Sequence, residues 1–339
     1  MNNERGVSLV ELLVVLAIFS VVMAWVYATY LAQVRHSTRE YMLAESEMEI
    51  EIAKNIIERD IMMAGYGIAD NYGPLSIDPL QVSSAEAASG SSSDSLVLRG
   101  TGIGILSRCA MAWSYITSKG PPVIYKTWTD GRENVGRSDR VIYLEPNTRE
   151  ILTDASKAIF TLPDVPPGAA EGTLVYGLHS DSADLPYYTV QYLIGGTASS
   201  ICSPGTQNLL RAESRNDDPP SSSSREPILN CVRDFQVAFG LDTNNDGNID
   251  LWDNGVILPS YDRQTLKRRL KQVRLYILLQ QGNRDPDFIY SNPDNLGDGA
   301  TIRVGDISIG TGRDITLTAK QRKYRWRVIA LSVTPRNLR

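Results

Sequence analysis

The chain has 339 residues, 42% of them hydrophobic, enough for a large core and, at ~100–200 residues per domain, for one big domain or two smaller ones. A formal net charge of −5 supplies no basic face for phosphates and argues against a nucleic-acid partner. Only two histidines occur, His36 and His179, which leaves zinc binding and histidine catalysis without support.

In chain order, the first feature is apolar. From Val7 to Ala28 the strongly polar residues are Ser8, Glu11 and Ser20. As a helix this stretch is ~33 Å long and spans a bilayer. A secretory signal fits poorly, with one basic residue (Arg5), a long apolar run and the weak cleavage site Val22-Met23-Ala24. A plain anchor fits the length but leaves Glu11 inside the span, at ~2.5–3.5 kcal/mol before snorkelling from near the cytoplasmic end reduces it. Beyond the span Val34, Tyr41 and Met48 recur at sevens, followed by Ile52 and Ile56, with Glu45, Glu47, Glu49, Glu51 and Lys54 on the other face. The spacing predicts a helix to Met63, stopped at Gly65-Tyr66-Gly67, whose apolar stripe docks on the body; a partner helix is the alternative.

Gly6-Val7-Ser8-Leu9-Val10-Glu11 ahead of that run resembles the class III signal of type IV prepilins and pseudopilins. The resemblance implies cleavage after Gly6 by a prepilin peptidase and methylation of the new N-terminus, Val7, where the family usually has phenylalanine. It also makes Glu11 the fifth mature residue, pairing with the N-terminal amine of a neighbouring subunit, which is what lets a carboxylate tolerate burial. The implied layout is a leader over 1–6, a helix over 7–66 with 7–28 in the membrane, and a head over 67–339. The protein would sit in the inner membrane with its N-terminus cytoplasmic and its head outside, then pass into an extracellular pilus.

After the helix, 83–94 is rich in Ser, Ala and Gly and reads as a solvated linker. Short β-type runs follow at 96–99, 123–128, 141–145, 174–178, 187–194, 209–212, 228–241, 273–280, 302–304, 315–317 and 324–334. The expected fold is a single α+β domain, a mainly antiparallel sheet packed on the long helix. The aromatic-rich stretch 113–128 reads as core strands or as a contact surface, and 216–225 as a mobile surface loop. Cys109, Cys202 and Cys231 lack metal-ligand spacing. Outside the cytoplasm one disulfide can form, Cys202–Cys231, where a crosslink limits the entropy of the intervening polar loop. Three reduced, buried thiols are the other reading.

The most specific chemistry lies at 242–253. Oxygen side chains stand at loop positions one, three, five, nine and twelve: Asp242, Asn244, Asp246, Asp250 and Asp253. Gly247 falls at the sixth, Asn248 offers its carbonyl at the seventh, and Ile249 points inward. That is the spacing of an EF-hand calcium loop, and four converging carboxylates call for Ca2+ or another cation. Asp253 is shorter than the usual glutamate, and 235–241 reads as a strand, so the loop is expected as a structural staple; a metal-free acidic turn is the alternative. The stretch 294–299 reads as a simple turn.

Arg59-Asp60 with Gly65-Tyr66-Gly67, Ser93-Asp94-Ser95-Leu96, the strand and acidic loop of 232–250, 269–279 and the C-terminal 325–338 together are similar to the PilW group of minor pilins, related to the J-type minor pseudopilins of type II secretion. This implies a minor pilin that initiates or caps a pilus near its tip, with other minor and major pilins as partners. A tip adhesin and a secretion pseudopilin are the alternatives. An enzyme is the poorest fit, since no nucleophile–base set or phosphate loop is visible.

Overall fold

The computed structural model describes residues 8–72, 82–85, 93–104, 111–155, 157–179, 185–215, 220–221, 224–255, 257–293 and 296–337. The leader with Gly6 and Val7, Cys109, much of 83–94 and of 216–225, and Asp294 lie outside them.

Helix α1 (Leu9–Met63) has 55 residues, ~83 Å at 1.5 Å per residue. Its first half touches nothing: an 18-residue window has mean hydropathy 2.7 and no buried residue. Polar groups in that half are satisfied within the helix. Ser20 Oγ donates to Leu16 O at 2.6 Å, and Thr29 Oγ1 to Trp25 O at 2.9 Å, as a hydrocarbon surrounding requires. Polar contacts with the head begin at Arg39, and burial begins at Ile50, with the buried face Ile50, Ala53, Ile57, Asp60 and Ile61, the i, i+3, i+7 pattern of a half-buried helix.

The stripe expected to dock is not that face. Tyr41 and Met48 are each 66% exposed, Ile52 54% and Val34 42%. A strict seven-residue spacing drifts ~20° per heptad around a straight helix, and Ile52 lies almost opposite Ile50, so the head covers the other side. The helix ends at Met63, where the Gly65-Tyr66-Gly67 stop places it, and the rest of the 7–66 segment is a turn. Gly65 (φ 81°) and Gly67 (φ 67°) then reverse the chain. There the Gly65 N–H donates to Arg99 O at 2.8 Å, and the Thr101 N–H to Tyr66 O at 2.8 Å.

Fifteen strands follow among the described residues. They are β1 (Val82–Ala85), β2 (Ser95–Gly100), β3 (Trp113–Ser118), β4 (Ile124–Tyr125), β5 (Arg140–Leu144), β6 (Phe160–Thr161) and β7 (Leu174–Leu178). Then come β8 (Tyr188–Gly195), β9 (Gln207–Ser214), β10 (Arg225–Leu241), β11 (Leu251–Asp253), β12 (Leu270–Gln281), β13 (Thr301–Val304), β14 (Arg313–Thr316) and β15 (Arg325–Val333). A short helix, α2 (Arg263–Arg269), precedes β12. The main sheet has eight strands in the order β1-β2-β8-β9-β10-β12-β15, with β11 on β10. It packs on α1 through one large core that includes Tyr192, Phe235, Phe239, Leu275 and Ile277.

The mainly antiparallel head is built from more than one sheet. β2 pairs directly with β8, and the strands between them form a separate five-stranded sheet, β4-β3-β7-β5-β6. That sheet has its own small core of Ile116, Val141, Tyr143, Phe160 and Val175. Within the expected linker, Val82–Ala85 pairs antiparallel with β2. Its small polar residues carry no alternation, so only the partner strand defines it.

Cys202 and Cys231 are disulfide-bonded with Cα atoms 5.2 Å apart and a sequence separation of 29, tying the loop after β8 to β10. Reducing this bond is expected to cost ~2–4 kcal/mol. Thermal unfolding with and without reductant, with Cys231→Ser as control, reads the cost; superimposable melts would contradict it.

Candidate functional site

Two parts of the molecule bear on function, the free half of α1 and the contacts that clamp its other half to the head. At the start of α1 the Glu11 carboxylate accepts the Ser8 N–H at 3.0 Å, and Leu9, Val10, Leu12 and Leu13 around it are all exposed. Glu11 is thus a carboxylate on an apolar, exposed stretch of helix, with no ion pair to it among the described residues.

The clamp centres on Asp60, only 3% exposed. Its Oδ2 accepts the Tyr192 hydroxyl at 2.5 Å and the Arg211 Nε–H at 2.9 Å. Arg211 Nη1 also reaches Glu213 Oε2 at 2.9 Å. Burial drives the Tyr192 phenol pKa well up, and the Asp60 charge adds to it, so Tyr192 stays a donor. Burial pulls Arg211 down, but Asp60 and Tyr192 outweigh it and the net shift is upward, so the guanidinium keeps its charge. One carboxylate on α1 therefore holds two adjacent strands, β8 and β9. Further contacts flank it. Glu47 pairs with Arg327 on β15 and accepts from Gln281 at 2.7 Å, and the Met62 carbonyl accepts from Asn337 Nδ2 at 3.0 Å. Asp60 was legible in the sequence only as part of a motif. Its partners lie 132 and 151 residues away, and no local pattern points to them.

The acidic stretch is the turn of a β-hairpin, with Leu241 opposite Leu251 and Phe239 opposite Asp253. Gly247 takes φ 92°, the left-handed turn its position requires. The first loop residues converge. Asp242 Oδ1 accepts the Asp246 N–H at 3.1 Å and its Oδ2 the Gly247 N–H at 2.9 Å. Asn244 Nδ2 donates to Asp246 Oδ2 at 3.2 Å, and Asp246 Oδ1 accepts the Asn248 N–H at 2.7 Å. Ile249 turns inward over Gly240, where an added Cβ would meet it at 2.8 Å.

The remaining expected ligands are not brought in. Asp250 is held by Thr243, whose N–H donates to it at 3.0 Å. Asp253 sits two pairs down the hairpin and accepts the Ile257 and Leu258 N–H groups at 3.0 and 2.9 Å. A strand advances ~3.4 Å per residue and offers no helix to swing a twelfth-position carboxylate back to the loop. Lys271 Nζ lies 3.3 Å from Asp242 Oδ2 and already supplies a counter-charge. Among the described residues no three His, Cys, Asp or Glu side chains gather as a metal site. The oxygen donors at positions one, three and five fit a hard cation; those at nine and twelve, as placed, do not.

Comparison with known proteins bears on both ends of the chain. Residues 1–27 match the prokaryotic N-terminal methylation motif, and residues 191–337 match the type IV pilus-assembly protein W family. The two matches together support a PilW-type minor pilin of the type IV pilus. No curated protein matches it in sequence. A type IV-like pilin from Thermus thermophilus aligns over 86% of this chain and 96% of its own, at 10% identity and a TM-score of 0.36, too remote to support any inference.

As a minor pilin, the protein takes part in type IV pilus assembly, and its methylation motif and apolar helix mark it as membrane-anchored. Membership also implies processing as a prepilin and interaction with other pilins. The PilW-like region begins within β8 and runs to the tail, and so contains most of the clamp and the acidic hairpin; the sheet of β3–β7 lies outside it. In that sheet the aromatic side chains of 113–128 are half-buried. The Trp113 and Trp128 rings stack 4.4 Å apart, Trp128 Nε1 donates to Trp113 O at 2.7 Å, and Trp113 lies against the main core.

Proposed function

We propose that this pilin initiates or caps a type IV pilus at or near its tip, together with other minor and major pilins. The observation that carries the reading is the division of α1. From residue 9 to 30 it is apolar and uncovered, while from Ile50 on it is clamped to a broad head. Such a helix is insoluble unless lipid or other helices surround it, and the exposed Tyr41, Met48 and Ile52 extend that apolar surface beyond the membrane span. On this reading the prepilin peptidase removes residues 1–6, the N-terminus of the precursor is cytoplasmic, and the head lies outside, where the Cys202–Cys231 bond persists. Mass spectrometry of the protein from peptidase-competent cells tests it. A new N-terminus at Val7 is expected; an intact leader would refute the reading. A tip adhesin predicts lost adhesion at unchanged pilus number when exposed head loops are altered, and a secretion pseudopilin predicts a secretion defect instead.

The near-complete burial of Asp242, with both oxygens facing loop amides, favours a second reading for the hairpin, as a calcium staple. Asp242, Asn244, Asp246 and the Asn248 carbonyl would hold the ion, which would have to displace Lys271 from Asp242. Calcium is expected to raise Tm by several degrees, as a ligand specific for the folded state does. Asp246→Ala should abolish the rise and Lys271→Met should enlarge it. Identical melts in calcium and chelator would leave an ordinary acidic turn.

A further inference from the structure

The rim of the head nearest the apolar run carries a charge opposite to that of the chain as a whole, which is −5. A cleft of about 520 Å³ opens there between 34–43 of α1 and the 281–287 loop after β12. Arg35, Arg39, Arg284 and Arg325 line it. Asp285 is taken up between two of them, 2.8 Å from Arg39 and 3.2 Å from Arg325. Two more cations are held on the same rim, Lys323 by Pro286 O at 2.7 Å and Arg322 by Tyr290 O at 2.9 Å. Against these six stand Asp285 and Asp287 in the loop. Next to the cleft the loop carries Ile289, a bare apolar side chain 60% exposed, beside Phe288, which stacks on Arg325 at 4.2 Å.

The position of this rim gives the charge a meaning. The apolar run closes with Trp25, Tyr27 and Tyr30, all exposed, and such amphipathic rings mark the headgroup level of a bilayer. Arg35 lies five residues past Tyr30, ~8 Å along the helix, within one Debye length at physiological ionic strength. The 281–287 loop lines a cleft that extends toward the N-terminus as far as Val34, further than the cleft beside 199–201, which extends to Met42.

We infer that this rim binds the anionic phospholipid headgroups of the leaflet on the head's side, with Arg35 and Arg284 on phosphates and Ile289 against the acyl boundary. The inference rests on the membrane-anchored reading of α1. It gives the unassembled pilin a fixed posture, head held down on the bilayer, that extraction into a filament must break. Arg35 and Arg284 carry it because, unlike Arg39 and Arg325, no ion pair with Asp285 engages them.

The test uses the full mature chain in nanodiscs of phosphatidylcholine, alone or mixed with phosphatidylglycerol, with amide hydrogen exchange as the readout. Exchange across 284–290 is expected to slow in the anionic discs by about fivefold for each arginine engaged. The difference should vanish in Arg35→Glu/Arg284→Glu and shrink in Ile289→Asp, whose exposed site leaves the fold intact. Equal exchange in the two discs overturns the inference, as does protection that appears only when another pilin is added. Failure of the chain to enter either disc would overturn the anchored reading itself, and the inference with it.

Discussion

Replacing Glu11 with alanine is expected to leave the pilin in the membrane and to remove it from the filament. Among the described residues this carboxylate accepts the Ser8 N–H at 3.0 Å, a partner that any helix start supplies. Once residues 1–6 are removed, Val7 carries a free amine, and a neighbouring subunit's Glu11 is its natural counter-charge inside an apolar bundle. An unmatched charge at such a depth costs ~2.5–3.5 kcal/mol, so losing the pair should reduce incorporation by on the order of 100-fold. The ratio of pilus-bound to membrane-bound protein measures this. Glu11→Gln, which keeps the shape without the charge, separates the ion pair from packing. Wild-type ratios for Glu11→Ala would remove Glu11 from the mechanism.

The second large effect concerns the clamp. Asp60→Ala strands the Arg211 guanidinium in a site where it is 9% exposed, with Glu213 as its remaining anion. Removing one partner of a buried ion pair typically costs 3–5 kcal/mol, a fall in Tm of roughly 5–15 °C for a domain of this size. The double variant Asp60→Leu/Arg211→Met should recover much of the loss, because no charge is then left buried. Thermal unfolding in detergent followed by tyrosine fluorescence checks both, and an Asp60→Ala melt within a degree of wild type would show the clamp to be dispensable. Its consequence for assembly follows from geometry: α1 is the part that enters the filament, and Asp60 ties it to β8 and β9.

The parts of the protein that could be read directly were those whose signal is local. The membrane-length apolar run, the glycine before it and the carboxylate within it all lie inside one continuous stretch from Gly6 to Ala28, and a helix needs only near neighbours to form its hydrogen bonds. The long strands of the main sheet were equally visible, since Val273-Arg274-Leu275-Tyr276-Ile277 has its β-formers side by side. The acidic loop was legible as a turn, through Gly247 and the Asp-x-Asn-x-Asp spacing, because Asx side chains bond amides two to four residues on.

What the sequence alone determined is therefore the anchor, the existence of a mainly antiparallel head and the shape of the hairpin turn. Tertiary structure decided the rest. Which face of α1 is covered depends on where the sheet lies, and it selected Ile50, Ala53, Ile57 and Ile61 over Tyr41, Met48 and Ile52. Whether Asp253 reaches the loop depends on hairpin register, which placed it opposite Phe239. The separation of the five-stranded sheet from the main one depends on β2 choosing β8, some ninety residues on, over its chain neighbours. In each case the deciding contact joins residues far apart in sequence, and its free energy comes from apolar burial and strand pairing that no local window contains.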